Sequence, residues 1–364
     1  MITPAFWRGR RVFLTGHTGF KGAWLSLWLQ QLGAEVSAYA LAPETKPNLF
    51  EIADVSTGMR SEIGDIRDLH QLTQALKQAQ PEIILHLAAQ PIVRRSYADP
   101  IETYSTNVMG LVHLFEAIRA VGGVRVCVNV TSDKCYENRE WPHGYREIDP
   151  MGGYDPYSSS KGCAELVTAA YRQSFFYPSD QDASLHLASA RAGNVIGGGD
   201  WASDRLIPDM MRAIVKGQPV LIRNPSAIRP WQHVLEPLSG YLKLAERLAG
   251  ENGRDYAEAW NFGPASDDVR PVKWIVEKMV ERWGDKASWA LDPAEGPHEA
   301  QFLSLDCQKA HRNLGWRPVW TISEAIEKIV DWHKQFNKKS NMREFTLNQI
   351  NDYCTDANLR NSQI

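Results

Sequence analysis

Four short apolar runs alternating with helical patterns constrain this chain more than any other feature. The runs are residues 11–16 (RVFLTG), 35–41 (EVSAYAL), 82–89 (EIILHLAA) and 124–130 (VRVCVNV). The segments between them, 23–33 (AWLSLWLQQLG), 68–79 (DLHQLTQALKQA) and 107–122 (NVMGLVHLFEAIRAVG), carry apolar residues at helical spacing. Strands without a polar face need burial on both sides. Strand, helix, strand repeated in this way predicts an α/β fold: a doubly wound parallel sheet with helices on both faces.

The rhythm stops near Ala190. A glycine-rich loop follows (192–201, AGNVIGGGDW), then a Pro- and Arg-containing stretch (223–233, RNPSAIRPWQH). Segments 272–284 (VKWIVEKMVERWG) and 322–336 (ISEAIEKIVDWHKQF) read as amphipathic helices of a smaller lobe. Segments 233–250 and 259–263 (AWNFG) are expected to return the chain to the sheet. The expected division is a Rossmann-type domain over 1–190, rejoined at about 233–264, with a smaller C-terminal lobe over 191–232 and 265–364. Past about Asn337 the chain reads as a docked helix or a loose tail.

A net charge of −3 argues against a general nucleic-acid binder. No stretch approaches the ~20 apolar residues of a membrane span, and the N-terminus has no secretory pattern. Five scattered cysteines without a CxxC pair predict a reducing, cytoplasmic setting with neither disulfides nor a metal site.

Gly16, Gly19 and Gly22 punctuate the junction between the first strand and first helix. Glycines there permit a tight turn and let backbone N–H groups approach a pyrophosphate at a helix N-terminus. Small residues after the third strand (IGD, 63–65) and the fourth (HLAAQ, 86–90) leave room for a ligand across the strand ends. The second strand ends without the acid that would bind an adenosine 2′-hydroxyl, so these residues leave NAD against NADP open. His17 is expected to place a bulky ring in the turn, against the pyrophosphate.

Tyr157 and Lys161 lie four apart at the start of a helix, on one face. An ammonium there is expected to lower the tyrosine pKa. The phenol could then exchange a proton with a sugar hydroxyl while hydride moves to a nicotinamide. Ser132 completes that constellation.

GHTGFKG, GD, HLAAQ, TSDK, YSSSK and ARAGNVIGGGDW occur in the order found in the extended short-chain dehydrogenase/reductase family, which the chain resembles over most of its length. QPIVRRSY, SDKCYENREW and DPYSSSKGCAE are similar to motifs of the CDP-glucose 4,6-dehydratase branch. The resemblance implies NAD as cofactor, held by Gly16, His17, Thr18, Gly19, Phe20, Lys21, Gly22, Asp65, Ile66, Leu87, Ala88, Ala89, Asn107, Tyr157 and Lys161. It implies CDP-glucose as substrate, deoxysugar biosynthesis as setting, and a homodimer built on helices near 108–121 and 164–176.

A 4,6-dehydratase oxidises C4, removes the acidified C5 proton, expels the C6 hydroxyl as water and returns hydride to C6. By resemblance Asp133 is the acid of that elimination. Related dTDP-glucose dehydratases carry Glu as the next residue and use it as base; here it is Lys134. An ammonium cannot accept a proton, so Lys134 is a base only if held neutral, and otherwise steadies the enolate. Asn194, Arg205, Arg229 and His298 resemble contacts to the substrate diphosphate; Arg94 and Arg95 form a basic pair near the expected mouth. Two other readings stay open: a 4-epimerase, which would not need the Asp133–Lys134 pair, and a non-catalytic NAD-binding regulator.

Overall fold

The computed structural model describes residues 2–176, 185–284, 287–292 and 301–361. The predicted apolar runs form strands β1 (Arg11–Thr15), β2 (Glu35–Ala40), β4 (Ile83–His86) and β5 (Val126–Val130), joined by β3 (Arg60–Ile63), β6 (His186–Ala192) and β7 (Ala259–Phe262). These seven make one sheet in the spatial order 7-6-5-4-1-2-3. Every neighbouring pair is parallel. β5 is buried at each position, as an apolar strand covered on both sides must be.

Nine helices of ten or more residues follow in chain order among the described residues: α1 (Phe20–Gln31), α2 (Leu69–Ala79), α3 (Gly110–Val121), α4 (Pro156–Ser174), α5 (Leu206–Val215), α6 (Leu235–Leu248), α7 (Val272–Trp283), α8 (Ile322–Asn337) and α9 (Met342–Asn361). One sheet face packs on α1 and α6, and the other on α2, α3 and α4. α1 is apolar nearly all round, and Gly22 through Leu29 are all buried. That fits a helix enclosed on every side: α6 flanks it and α9 covers it, with Tyr353 set edge-on to Trp28 at 5.7 Å. Tail residues Met342, Ile350 and Tyr353 thus join the sheet core. Glu236 of α6 ties down the same region, accepting from Trp320 N at 2.7 Å and the Tyr353 hydroxyl at 2.7 Å.

α5, α7 and α8 build a separate apolar cluster around Ile207, Met210, Ile275, Met279, Ile326 and Ile329. Chain order in the sheet reverses between β1 and β4, and ligands of open α/β sheets bind in the crevice at the carboxyl ends of such a switch. A cavity of about 940 Å³ lies there, between the strand ends and the α5 region.

Candidate active site

The first wall of the cavity is the turn after β1. Gly16 has φ +79, and a Cβ there would meet Ala88 N at 2.8 Å. A Cβ on Gly22 would lie 2.1 Å from the Gly16 carbonyl oxygen. The turn is thus closed against β4 and against α1, and Gly19 is the N-cap of α1. Thr15 Oγ1 accepts from Leu87 N and Ala88 N, both at 3.1 Å, which locks the two loops together. Thr18, Gly19, Phe20, Lys21, Leu87, Ala88, Ala89, Asp65 and Ile66 all line the cavity. These features fit a dinucleotide: a narrow glycine cradle at a helix N-terminus, small residues across the strand ends, and Lys21 beside them. Gly16→Ala is expected to destabilise the fold by more than ~1 kcal/mol, the cost of a side chain at positive φ, and to weaken NAD+ binding. Thermal unfolding and NAD+ titration measure the two effects.

Two residues assigned to the cofactor from sequence do not reach the cavity. The His17 ring is fully buried beneath the turn, 2.7 Å from Ser61 Oγ and edge-on to Phe50 at 5.3 Å. Burial pushes its pKa down to about 4. The ring therefore packs against Ser61 of β3 and Phe50, outside the cavity lining, and does not crowd a pyrophosphate. Asn107 sits in a π-helical turn, Ser105–Met109. Its side chain accepts from Gln90 N at 2.8 Å and donates to Ser160 Oγ at 2.9 Å. It tethers the loop after β4 to α4.

The opposite wall carries the turn after β5 and the first turns of α4. Asp133 opens a short 3-10 turn, Asp133–Cys135, with Ser132 as its N-cap. The Asp133 carboxyl is 2% exposed, accepts from Ser132 Oγ at 3.0 Å through Oδ1, and leaves Oδ2 without a protein partner. Burial raises its pKa, against the pull of Lys134, Ser132 and Arg229. Gly193 makes room for it, since a Cβ there would lie 2.9 Å from Oδ2. Lys134 is half-buried in the same wall.

Asp155 caps α4 through Ser158 N at 2.9 Å, and Pro156 fixes the first turn, which sets Tyr157 facing the cavity. The Tyr157 phenol is pushed up to about 12. Burial is the main cause and Asp133 adds to it, while a hydrogen bond with Ser132 and the charge of Arg205 oppose. This reverses the expected direction. Lys161 Nζ lies 6.0 Å from the Tyr157 ring centroid, and burial brings Lys161 itself down to about 8, with Glu165 opposing. Desolvation of the phenolate outweighs help from an ammonium that is itself desolvated. Burial, with repulsion from Lys161 and Arg205, takes Lys21 down to about 7. Its Nζ reaches Tyr241 Oη of α6 at 3.3 Å.

Asn194, Arg205 and Arg229 line the far end of the cavity. Arg205 is held by Asp200 at 3.0 Å. Arg229 is buried and donates to the Ile228 carbonyl at 2.9 Å. Of the basic pair, Arg94 lines the cavity and meets Asp204 at 3.3 Å, whereas Arg95 turns to Glu102 at 2.5 Å and Glu44 at 2.9 Å. His298 lies outside the described residues. Sequence reading passed over Tyr241, whose signal is only an i+6 position beyond the chain's return on α6. It also passed over Glu165, although this residue continues the Tyr157–Lys161 spacing by another four.

Three of the five cysteines are poor candidates for thiol chemistry. Cys127, Cys135 and Cys307 are buried, and burial raises their pKa values. Among the described residues no cluster of His, Cys, Asp and Glu could hold a metal, and no helix is long and apolar enough to cross a membrane.

Similarity to known proteins follows the same pattern. A solved dTDP-glucose 4,6-dehydratase of Streptomyces venezuelae, a double mutant holding NAD, shares the fold with a TM-score of 0.76 at 23% identity, over 91% of this chain and 98% of that one. MoeE5, solved with UDP-glucose and NAD, has a TM-score of 0.73 at 26% identity, over 90% of this chain and 99% of that one. A CDP-glucose 4,6-dehydratase of Salmonella typhimurium is 58% identical across 98% of this chain and 99% of its own length. The family model described as GDP-mannose 4,6 dehydratase matches residues 13–329. The chain therefore belongs to the nucleotide-sugar 4,6-dehydratase family that this model and this relative represent.

Proposed function

We propose that the chain is an NAD-dependent CDP-glucose 4,6-dehydratase, converting CDP-D-glucose to CDP-4-dehydro-6-deoxy-D-glucose and water in deoxysugar biosynthesis. The observation that carries this reading is the pairing in one cavity of a buried Asp133, its pKa raised by burial, with the Tyr157 face of α4. An epimerase would not need the buried acid. The likeness to the Salmonella typhimurium enzyme supports CDP-glucose over other nucleotide sugars.

When bound, NAD+ supplies a hydride acceptor for C4 of the sugar and a donor for C6. Tyr157, as the phenolate that Ser132 and Arg205 favour, takes the C4 hydroxyl proton and becomes the neutral phenol. Lys161 holds positive charge beside that ring. Burial raises the Asp133 pKa, which suits the carboxyl to give a proton to the departing C6 hydroxyl. Lys134 acts on the C5 side, as the amine that takes the proton or the ammonium that steadies the enolate. Asn194, Arg205 and Arg229 face the substrate diphosphate, where guanidinium groups match phosphate oxygens. On this reading residues 1–190 and 233–264 bind the cofactor, while 191–232 and 265–364 form the substrate lobe, its last helix packing back on α1.

Incubation with CDP-glucose and NAD+, followed by mass analysis of the sugar nucleotide, tests the function. Loss of one water is expected. An isomeric product supports epimerisation, and an unchanged sugar supports a regulator.

The same reading places a homodimer in the cytoplasm. Ile101, Met109 and Leu166 are exposed at 80%, 47% and 61%, along the side of the molecule formed by α3, α4 and the short helix Pro100–Tyr104. That face suits a second copy. Sedimentation at micromolar concentration is expected to give twice the monomer mass, and a monomer would remove the pairing.

A further inference from the structure

The turn that carries Asp133 and Lys134 has few bonds of its own. Cys135 N reaches the Ser132 carbonyl at 3.3 Å and Tyr136 N reaches the Asp133 carbonyl at 3.4 Å, both long. Gly152 N adds a bond to the Cys135 carbonyl at 2.9 Å. Stronger bonds hold the two ends of the turn. At one end the Thr131 hydroxyl donates to Glu165 Oε1. At the other the Tyr136 hydroxyl accepts from Arg191 at 2.7 Å and donates to Asn261 Oδ1 at 2.8 Å.

Glu165 and Arg191 are themselves a buried ion pair, 2.8 Å apart, with side chains 5% and 4% exposed. Glu165 follows Lys161 by four residues and Tyr157 by eight, so all three lie along one face of α4. Ser189 of β6 satisfies the same carboxylate at 2.6 Å. One charged pair thus bonds both ends of the elimination turn and stands on the helix that bears the proton-transfer tyrosine. Gly162 lets the turn approach that helix, since a Cβ there would sit 3.3 Å from the Cys135 carbonyl oxygen.

We propose that the Glu165–Arg191 pair is a positioning device: it registers Asp133 and Lys134 against Tyr157 and Lys161, so that two successive reactions occur on one sugar without its moving. The inference rests on the dehydratase reading above. Chemistry at C4, C5 and C6 of a single bound ring requires groups from β5 and from α4 to stay in mutual register. A displacement of about 1 Å can cost a hundredfold in rate. Stability alone does not call for this pair, because apolar replacements of buried ion pairs are often as stable.

Breaking the pair directly, as in Glu165→Gln, risks the fold, because it strands Arg191. Thr131→Val and Tyr136→Phe are milder. Each removes one hydroxyl at one end of the turn, and the second keeps the ring stacked on Tyr145 at 5.3 Å. Two quantities are measured with CDP-glucose: the transient near-ultraviolet absorbance of reduced cofactor, and the solvent deuterium carried into dehydrated product. The melting temperature of the cofactor-free variants serves as the folding control. The double variant is expected to lose about tenfold or more in product formation, with cofactor reduction changed by less than about threefold. Ser189→Ala removes a bond to the same carboxylate but touches neither end of the turn, and is expected to keep the parent ratio. A parallel fall in both quantities, no fall in either, or an equal effect from Ser189→Ala overturns the proposal. A parent enzyme that reduces cofactor but yields no dehydrated product overturns the dehydratase reading itself, and the inference with it.

Discussion

Tyr157→Phe is expected to lower turnover of CDP-glucose by about 100- to 10,000-fold, the usual loss when a positioned acid–base group is removed. The ring stays in place, and Phe loses only the hydroxyl that meets Ser132. One hydrogen bond is worth about 1 kcal/mol net, and removing a buried hydroxyl offsets part of that. The melting temperature should therefore remain close to the parent's. The size of the activity loss follows from the site's electrostatics. Burial pushes the phenol up to about 12, so the tyrosine is protonated at rest. It can take the C4 proton only where neighbouring donors favour the phenolate, and Ser132 and Arg205 are placed to do so. Without the oxygen the ring can neither accept nor return that proton, and Lys161 Nζ is 6.0 Å from the ring centroid. Near-parental turnover in this variant would remove Tyr157 from the chemistry.

The parallel sheet was legible because β4 and β5 are largely apolar and buried along their whole length, a pattern that burial on both faces explains. The glycine turn was legible for a related reason: positive φ at Gly16 and the approach of Gly22 to the Gly16 carbonyl exclude any side chain. Side-chain direction was much less legible. His17 and Thr18 are adjacent in a turn, yet Thr18 lines the cavity while His17 drops beneath it to Ser61. Spacing gives a residue's place on an element, not the way a tight turn aims it. Asn107, given to the cofactor by resemblance alone, sits in a π-helical turn and spends its side chain on Gln90 and Ser160. The tyrosine pKa went the other way because i and i+4 predict nearness but say nothing about desolvation, which governs here. The tail's docking on α1 rested on Trp28 and Tyr353, residues 325 positions apart by their numbers, and local sequence carries no signal for such a pair.

Asp133→Asn is expected to abolish product formation while stabilising the protein at neutral pH, two effects with one origin. Burial raises the Asp133 pKa, so the folded protein holds the proton more tightly than the unfolded chain does. A carboxyl shifted in this direction contributes its full stability below the unfolded-state pKa, ~3.9. That contribution is lost as pH rises through the higher folded-state value, because the folded site must then hold a desolvated carboxylate. Lys134 and Arg229 soften this cost without cancelling it, since the net shift remains upward. Asn keeps the shape and the acceptor for Ser132 Oγ but carries no ionisable proton. The variant should melt above the parent at neutral pH, and the difference should shrink as pH falls and the parent's carboxyl becomes protonated. Catalysis should suffer in the opposite sense. The amide cannot protonate the C6 hydroxyl, and removal of a general acid costs about 100- to 10,000-fold. Proton transfer at C4 belongs to Tyr157 and should survive, so reduced cofactor should appear with CDP-glucose while no dehydrated sugar forms. The paired measurement is thermal unfolding from acid to neutral pH beside a mass assay of the product. A variant that melts below the parent at neutral pH would show that the buried carboxylate is stabilising and does not retain its proton. Normal product formation would show that the acid of the elimination is another group.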